Sequence, residues 1–163
     1  MNRQVITAVN VFVAGYTHIG LAESFKTPAL KQVKLTQKTA AGERSISTGA
    51  FESLDTDITF KALPKSIYDE ISKLDEAELV FKQAYKEGSE TKSMEWVCKG
   101  GIDLEYEESK EAEYLGVKIS QKGLKKYTHE VNGKVEVNID HENVICMVGG
   151  KDLLAETRNA VLS

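Results

Sequence analysis

Residues 123–163 read GLKKYTHEVNGKVEVNIDHENVICMVGGKDLLAETRNAVLS and carry the clearest pattern in the chain. Alternating apolar and polar residues on both sides of Asn132-Gly133 indicate a β-hairpin. The apolar run at residues 144–148 predicts a further strand, and Gly149-Gly150 separates it from a helix predicted over residues 151–162. A hairpin, a strand and a short helix in this order favour a mainly β protein.

The turn at Asn132-Gly133 can be placed in two registers. A two-residue turn is the usual choice for an Asn-Gly pair, but it would set Val135 and Val137 opposite polar side chains. A three-residue loop sets them opposite His129 and Tyr127 instead and gives one mostly apolar face. Because a slip of one residue exchanges the two faces of a strand, we predict the three-residue loop, with Gly133 at positive φ.

The rest of the chain continues the pattern of short strands. Further strands are predicted over residues 6–14, 19–25, 29–39, 57–61, 79–86, 94–107 and 115–119. Ile67, Ile71 and Leu74 follow helical spacing after a proline, which predicts a short helix over residues 64–74. The predicted fold class is mainly β (α+β), a β-sandwich or barrel-like fold with a short internal helix and a C-terminal helix.

The segment over residues 94–107 alternates more regularly than the strand predicted before it, and Gly100-Gly101 predicts a bulge or bend in its middle. One face is acidic and holds Glu95, Asp103, Glu105 and Glu107. The other face is apolar and includes Trp96. We interpret Trp96 as a core aromatic residue, with a place in a subunit interface as the alternative.

A polar stretch at about residues 40–50, AAGERSISTGA, has no apolar period. The pattern predicts an exposed, extended loop. Such a loop is long for a hairpin connection, and long loops tend to be functional or disordered.

Composition narrows the class of protein. The chain of 163 residues fits one domain over residues 1–163, with no linker and no internal repeat. The net charge of −4 argues against direct attraction to nucleic acid or to an anionic membrane. No apolar run approaches the length of a membrane span, and no secretory signal is expected. Cys98 and Cys146 are expected to be buried free thiols in a reducing cytoplasm.

Chemistry at a catalytic or cofactor site is not expected. The residues nearest to a metal-ligand set are His129, Glu136, Asp140, His141 and Glu142, but their spacing matches no metal motif. The glycine pairs lack the patterns of phosphate-binding loops. No serine stands in a nucleophile elbow, and Cys98 lies in a pattern that predicts burial. We therefore predict no enzyme activity and no cofactor.

Two parts of the sequence resemble the major tail tube protein family of contractile-tailed bacteriophages. The C-terminal part is VEVNIDHENVICMVGGKDLLAETRNAVL, residues 135–162. The N-terminal part comprises Asn10-Val11-Phe12-Val13, Gly15, Gly20, Glu23 and the Pro28-x-Leu30 step. The middle of the chain is similar to the family only in the order of its predicted elements.

The resemblance implies a structural subunit of a phage tail tube. Members of the family form hexameric rings that stack into a hollow tube inside a contractile sheath, the conduit for genome delivery. Implied partners are further copies of the chain, the tail sheath protein, the tape measure protein and the baseplate tube initiator. DNA would pass through the lumen without specific binding, as an acidic wall allows. The implied location is the virion tail, assembled in the cytoplasm of the bacterial host.

The resemblance also implies two sets of functional residues. A ring-stacking loop, mobile in the monomer and ordered by the adjacent ring, would comprise Gly42, Glu43, Arg44, Ser45, Ile46, Ser47, Thr48 and Gly49. Deletion of these residues is expected to leave folded subunits that cannot elongate. The lumen would be lined by one of two strand faces, either Glu95, Asp103, Glu105 and Glu107 or Lys126, Glu130 and Glu136.

Two alternatives stay open at this point. The first is the tube protein of a related machine, such as a phage-tail-like bacteriocin or a type VI secretion-like injection machine. The second is a monomeric β-sandwich binding module, which would need a concave pocket with clustered aromatic residues. Only 7% of the residues are aromatic and they are scattered, which disfavours the binding module.

Overall fold

The computed structural model describes residues 2–18 and 21–162. Gly20 and the start of the strand predicted from Ile19 lie outside these residues. The strands are β1 (Gln4–Val13), β2 (Tyr16–Thr17), β3 (Ala22–Lys26), β4 (Gln32–Thr39), β5 (Gly42–Phe51), β6 (Thr56–Phe60), β7 (Glu78–Glu87), β8 (Glu90–Lys99), β9 (Ile102–Tyr106), β10 (Val117–Gln121), β11 (Lys126–Val131), β12 (Lys134–Asp140), β13 (Ile145–Val148) and β14 (Lys151–Asp152). The helices are α1 (Ile67–Ile71) and α2 (Ala155–Leu162), with a 3-10 turn at Leu74–Glu76.

The strands form two open sheets and a separate hairpin. The large sheet has eight strands in the order β14-β13-β12-β11-β8-β7-β1-β2. The small sheet has four strands in the order β3-β6-β10-β9, and within the described residues β4 pairs only with β5. The predicted class, a mainly β fold with an internal helix and a C-terminal helix, is confirmed. In the described part of the chain, no helix is both long enough and apolar enough to cross a membrane.

The hydrophobic core lies between the inner faces of the two sheets. Alternate residues of the large sheet, including Val11, Phe81 and Tyr127, face alternate residues of the small sheet, including Ile58 and Ile119. All five are at most 2% exposed, so each strand buries one side and leaves the other to solvent or to a partner. The period-2 alternation of the sequence follows directly from this arrangement.

The single tryptophan lies in this core, as predicted. Trp96 stacks on His129, its cross-strand partner, with ring centroids 4.7 Å apart, and meets Phe25 edge to face at 6.1 Å. Both cysteines, Cys98 and Cys146, are buried free thiols, also as predicted. Burial raises the pKa of each thiol, so neither is an activated nucleophile.

The segment predicted as one bent strand over residues 94–107 is two strands in different sheets. β8 belongs to the large sheet and β9 to the small one, and the chain turns between them at Gly100-Gly101. A Cβ on Gly100 would lie 3.1 Å from the Leu124 side chain and 3.3 Å from its Cα. The glycine pair is therefore a tight corner between two layers, not a bulge within one strand.

The three-residue loop predicted at Asn132-Gly133 is wrong. Val131 pairs with Lys134, and Asn132 and Gly133 both have positive φ, at 49° and 84°. These are the angles of a two-residue hairpin turn. The register shifts at the next step along the ladder, so that His129 pairs with Val137. This bulge restores the apolar face that the longer loop was meant to explain.

The two helices are shorter than predicted. The internal helix begins at Ile67 instead of Pro64, because Ser66 has a left-handed φ of 61°. The C-terminal helix begins at Ala155 instead of Lys151, since Lys151 and Asp152 form a short edge strand.

Candidate assembly surfaces

The polar stretch at about residues 40–50 is not a loop. It forms β5, which pairs with β4 over residues 32–51 as a long hairpin. The turn is at Ala40-Ala41, where the Thr39 hydroxyl donates to the Gly42 carbonyl oxygen at 2.9 Å and accepts from the Ala41 amide at 3.3 Å. The loop prediction was wrong because ladder hydrogen bonds with β4 hold this strand, and they need no apolar period. The sequence did contain one sign of this pairing, since the segment just before the stretch is itself predicted to be a strand and could act as its partner.

The hairpin has an apolar face and a polar face. Leu35 pairs with Ile46, and Val33 precedes them on the same side. Lys34, Thr36 and Lys38 point to the other side, opposite Ser47, Ser45 and Glu43. Leu35 is 62% exposed, because no other element of the described chain covers this face. An isolated two-stranded hairpin is marginal in water, so the face is suited to burial against another surface.

Charge also distinguishes the hairpin from the rest of the chain. Residues 32–51 hold three basic side chains against one acidic side chain, a balance of +2. The whole chain carries −4, so the remainder carries −6. A basic arm thus projects from an acidic body, an arrangement that favours contact between copies.

The two arms are joined at the base of the hairpin, which contacts the body of the protein at Leu153. The Glu52 amide donates to the Lys31 carbonyl oxygen at 2.7 Å, and the Thr48 hydroxyl donates to the Val33 carbonyl oxygen at 2.8 Å, so both bonds link one arm to the other. Gly49, with a φ of +84°, lies so close to Leu153 that a Cβ would stand 3.3 Å from its carbonyl oxygen. The hairpin therefore leaves the body in a defined direction.

The outer face of the large sheet carries a row of carboxylates. Glu95 pairs with Glu130 across β8 and β11, and Lys82 pairs with Glu95 on the other side. Glu136 lies at the bulge beside this row, and Lys126 lies further along the same face, opposite Lys99. Glu95 therefore lies on the same face as Glu130, Glu136 and Lys126. The alternation of the sequence had instead placed it with Asp103, Glu105 and Glu107.

Asp103 and Glu105 lie on the outer face of the small sheet. Asp103 pairs with Ser120, and Glu105 pairs with Lys118. Across the next ladder, Ser120 pairs with Asp57. Both acidic residues are exposed, and the face mixes acids with lysines. Glu107 follows the end of β9 in an exposed connection, where its amide donates to the Gly116 carbonyl oxygen at 3.0 Å. The acidic face predicted from alternation is therefore split between two sheets.

An apolar groove lies where the large sheet extends past the small one. β1, β7 and β8 each have ten residues, whereas the strands of the small sheet have five. The overhang leaves part of the inner face uncovered. The groove is lined by Ile6, Val9, Glu23, Ser24, Phe25, Thr27, Gln83, Met94 and Trp96. Sequence reasoning missed it, because its apolar members such as Val9 and Trp96 follow the pattern of core positions.

The residues considered as metal ligands are not brought together. His129 stacks on Trp96 and its Nδ1 lies 3.0 Å from the Glu95 carbonyl oxygen. Asp140 accepts from the Asn143 side chain at 2.8 Å and from two backbone amides, and these hydrogen bonds hold its pKa below the usual range. Within residues 2–18 and 21–162, no group of three His, Cys, Asp or Glu side chains is arranged to hold a metal ion.

Solved structures with a similar fold come from contractile injection systems. The chain is similar to a subunit of the PVC sheath-tube complex in the extended state, with a TM-score of 0.55 and 11% identity over 76% of this chain and 88% of that chain. It is similar to a subunit of the PVC sheath/tube terminator, with a TM-score of 0.54 and 11% identity over 76% and 93%. It is also similar to the tube-terminating cap of the anti-feeding prophage, with a TM-score of 0.55 and 10% identity over 76% of this chain and 88% of that chain. At these identities the likeness shows the fold.

Among curated protein sequences, none matches the chain significantly. A family model described as phage tail tube protein FII matches residues 3–161, nearly the whole length. The two sheets, the projecting hairpin and this match agree with the resemblance at the two ends of the sequence. The chain belongs to the phage tail tube protein FII family, a family of structural proteins and not of enzymes.

Proposed function

We propose that this protein is the structural subunit of a phage tail tube. Copies form hexameric rings, and the rings stack into a hollow tube inside a contractile sheath, through which the genome is delivered. The observation that carries the proposal is the basic, amphipathic hairpin formed by β4 and β5, which projects from the body and leaves Leu35 uncovered by the other elements of the described residues. A monomer gains nothing from such an arm, whereas a stacked ring can bury it.

The edges of the small sheet support closure into rings. The large sheet ends on one side in β14, which has two residues, and on the other in β2, which pairs only with Phe12 and Val13 and leaves residues 4–10 of β1 open. The small sheet ends in β3 and β9, which have five residues each. A closed ring needs an edge that can pair on both sides of each subunit, and a very short edge strand such as β14 resists pairing with another chain. We assign the small sheet to the continuous wall that adjacent subunits form in a ring.

This assignment distinguishes the two candidate lumen faces. The outer face of the small sheet, with Asp103 and Glu105, then lines the lumen. The row of Glu95, Glu130 and Glu136 on the large sheet, with Lys126, faces away from it. Lysines interleave with the acids on the lumen face, so DNA meets no strongly basic surface to which it could adhere.

The hairpin is assigned to ring stacking. Residues Gly42 to Gly49 keep the role expected from the sequence, but they act as one arm of a hairpin and not as a loop. The surrounding partners are the sheath protein, the tape measure protein and the baseplate initiator of the tube. The location is the virion tail, after assembly in the host cytoplasm.

A second function has a specific observation in its favour. The similar structures are the PVC sheath-tube complex, the PVC terminator and the anti-feeding prophage cap, all parts of contractile injection particles. The same subunit would then build the tube of a phage-tail-like particle. Purified particles distinguish the two functions, because a phage tail is joined to a DNA-filled capsid and an injection particle is not.

The first test is negative-stain electron microscopy beside size-exclusion chromatography of the purified chain. Rings or hollow tubes are expected, either alone or after addition of preformed baseplates. A monodisperse monomer in the presence of baseplates would contradict the proposal.

The stacking role is tested by replacing residues 34–47 with Asn-Gly, which shortens both arms together. The matched control replaces Ala40-Ala41 with Asn-Gly and keeps both arms. Only the shortened variant should fail to elongate.

A further inference from the structure

The apolar groove beside Trp96 is open to solvent although it belongs to the inner face of the large sheet. Ile6 is 60% exposed, and Val9 and Met94 are half-buried beside it. Phe25 of β3 forms one wall by stacking on Phe81 at 5.3 Å, and Trp96 forms the floor. Uncovered apolar side chains lined up along a groove indicate a surface that another element covers.

The hairpin formed by β4 and β5 offers an apolar face of the kind that this groove lacks. Val33, Leu35 and Ile46 form a short stripe along the hairpin. Beyond this stripe, toward the turn, Gln37 pairs with Arg44 on the same face. An extended, two-stranded element of this kind can cover the part of the inner face that the small sheet leaves open.

The groove and the apolar face of the hairpin also carry opposite charges. Among the residues that line the groove, Glu23 is the ionisable one, and it is exposed. Arg44 is the ionisable residue on the apolar face of the hairpin, and it is also exposed. A carboxylate on one surface and a guanidinium on the other set the orientation in which the two surfaces meet.

The two surfaces cannot be partners within one chain. In the described residues, β4 and β5 pack against each other and make no comparable contact with β1, β3, β7 or β8. The base of the hairpin packs at Gly49 against Leu153, which does not line the groove. The hairpin that fills the groove must therefore come from a second copy.

We propose that the groove lined by Ile6, Val9, Phe25, Met94 and Trp96 receives the apolar face of the β4–β5 hairpin from a neighbouring copy, with Arg44 of the hairpin against Glu23 of the groove. This inference rests on the proposed function, in which the hairpin stacks rings, and names the surface that it meets. The contact is heterologous, because the donor and acceptor surfaces differ, and a contact of this kind can repeat from ring to ring along an open filament.

Photo-crosslinking tests which surface the hairpin touches. The chain carries p-benzoylphenylalanine in place of Leu35 and is mixed with isotopically heavy chain that lacks the probe, in tubes grown from baseplates. Adducts between light and heavy chains are expected at peptides that contain Ile6, Val9 or Met94. The same probe in place of Thr36, on the opposite face of the hairpin, is the matched control and should not label these peptides. Adducts from Leu35 at another surface, or equal labelling from Thr36, would overturn the proposal.

Charge reversal gives an independent test. Arg44→Glu and Glu23→Arg should each lower the rate of tube elongation about fivefold or more, since each creates a repulsive pair at the contact. The double variant should recover most of the lost rate. Lys38→Glu combined with Glu23→Arg is the control and should not recover the rate, because Lys38 lies on the polar face of the hairpin. A double reversal as defective as the two single variants together would count against the contact.

The failure of this inference differs from the failure of the proposed function. If the hairpin labels a different surface of a second copy while the shortened hairpin still blocks elongation, stacking by the hairpin stands and the groove is not its receptor. If the shortened hairpin elongates normally, the stacking role itself is wrong.

Discussion

The Gln121 side chain donates a hydrogen bond from Nε2 to the Cys98 carbonyl oxygen at 3.2 Å and so ties the small sheet to the large one. The same nitrogen reaches the Gly100 carbonyl oxygen at 3.1 Å, and Oε1 accepts from the Thr56 hydroxyl at 3.2 Å. Gln121 is fully buried. It satisfies backbone groups at the corner where the chain leaves one sheet for the other, which buried carbonyl groups require.

Gln121→Met tests this link. Methionine has a similar shape but cannot donate, so the Cys98 and Gly100 carbonyl oxygens lose their side-chain donor in a buried site. The free energy of unfolding should fall by about 2–3 kcal/mol. Urea denaturation followed by tryptophan fluorescence measures it. Gln37→Met, at an exposed position of the hairpin, is the control and should change stability by less than about 0.5 kcal/mol. Equal effects of the two variants would show that Gln121 is not a structural link.

The corner at Gly100-Gly101 shows why part of the fold escapes prediction from the sequence. Alternation places Trp96 and Ile102 correctly in the core, since burial of one face imposes a period of two. It does not reveal that the two residues enter the core from opposite sheets. That depends on the approach of Leu124 to Gly100 and on the hydrogen bonds of Gln121, which join positions far apart in the chain.

The candidate surfaces were predictable to different degrees. The exposure of most of residues 42–49 follows from their composition, whereas their pairing with β4 does not. A polar strand held by ladder hydrogen bonds has no apolar period to detect. The groove at Ile6 and Met94 escaped prediction for another reason: an apolar residue beyond the end of the covering sheet has the same sequence signature as a core residue.

The charge of the lumen face is testable by paired substitutions. Asp103→Lys with Glu105→Lys would make the outer face of the small sheet basic. Because DNA phosphates adhere to a basic wall, we expect tubes to assemble and genome delivery to slow by about tenfold or more at low salt, with partial recovery at high salt. Infection efficiency and DNA release from purified particles measure the effect.

The matched control for the lumen test is Glu95→Lys with Glu130→Lys, the same change of charge on the outer face of the large sheet. It should leave the rate of DNA release unchanged. Slower release with this control, and normal release with the Asp103 and Glu105 variant, would place the lumen on the large sheet instead.

The stability of the protein should depend on Glu76 in acid. Hydrogen bonds from Lys125 and Lys99, the latter at 2.7 Å, lower the pKa of the Glu76 carboxyl to about 2. A carboxyl with a lowered pKa in the folded state stabilises the fold above its unfolded pKa, and this contribution is lost as the pH falls toward 2. Glu76→Gln should therefore be less stable than the original chain at pH 7, and the difference should vanish near pH 2.

Urea denaturation at several pH values measures this difference for Glu76→Gln. The side chains are partly exposed, so added salt should weaken the effect. Glu108→Gln, in an exposed connection, is the control and should unfold at the same urea concentration as the original chain at pH 7. A difference for Glu76→Gln that persists unchanged at pH 2 would show that the residue acts by packing and not by charge.

The direction of the hairpin should depend on Gly49. A side chain at this position is unfavourable for two reasons. The φ of +84° lies in a region that favours glycine, and the added Cβ would lie 3.3 Å from the Leu153 carbonyl oxygen. Gly42 is the matched control, because its φ of +126° is also unfavourable for alanine but no atom lies within 4 Å of the added Cβ. Gly49→Ala should expose the amides at the base of the hairpin to faster hydrogen exchange and slow tube elongation, since the arm no longer leaves the body in its fixed direction. Gly42→Ala should bring only the backbone strain, about 1 kcal/mol, confined to the tip. Equal exchange at the hairpin base in both variants would mean that Leu153 does not orient the arm, and normal elongation by Gly49→Ala would mean that ring stacking does not depend on the direction of the hairpin.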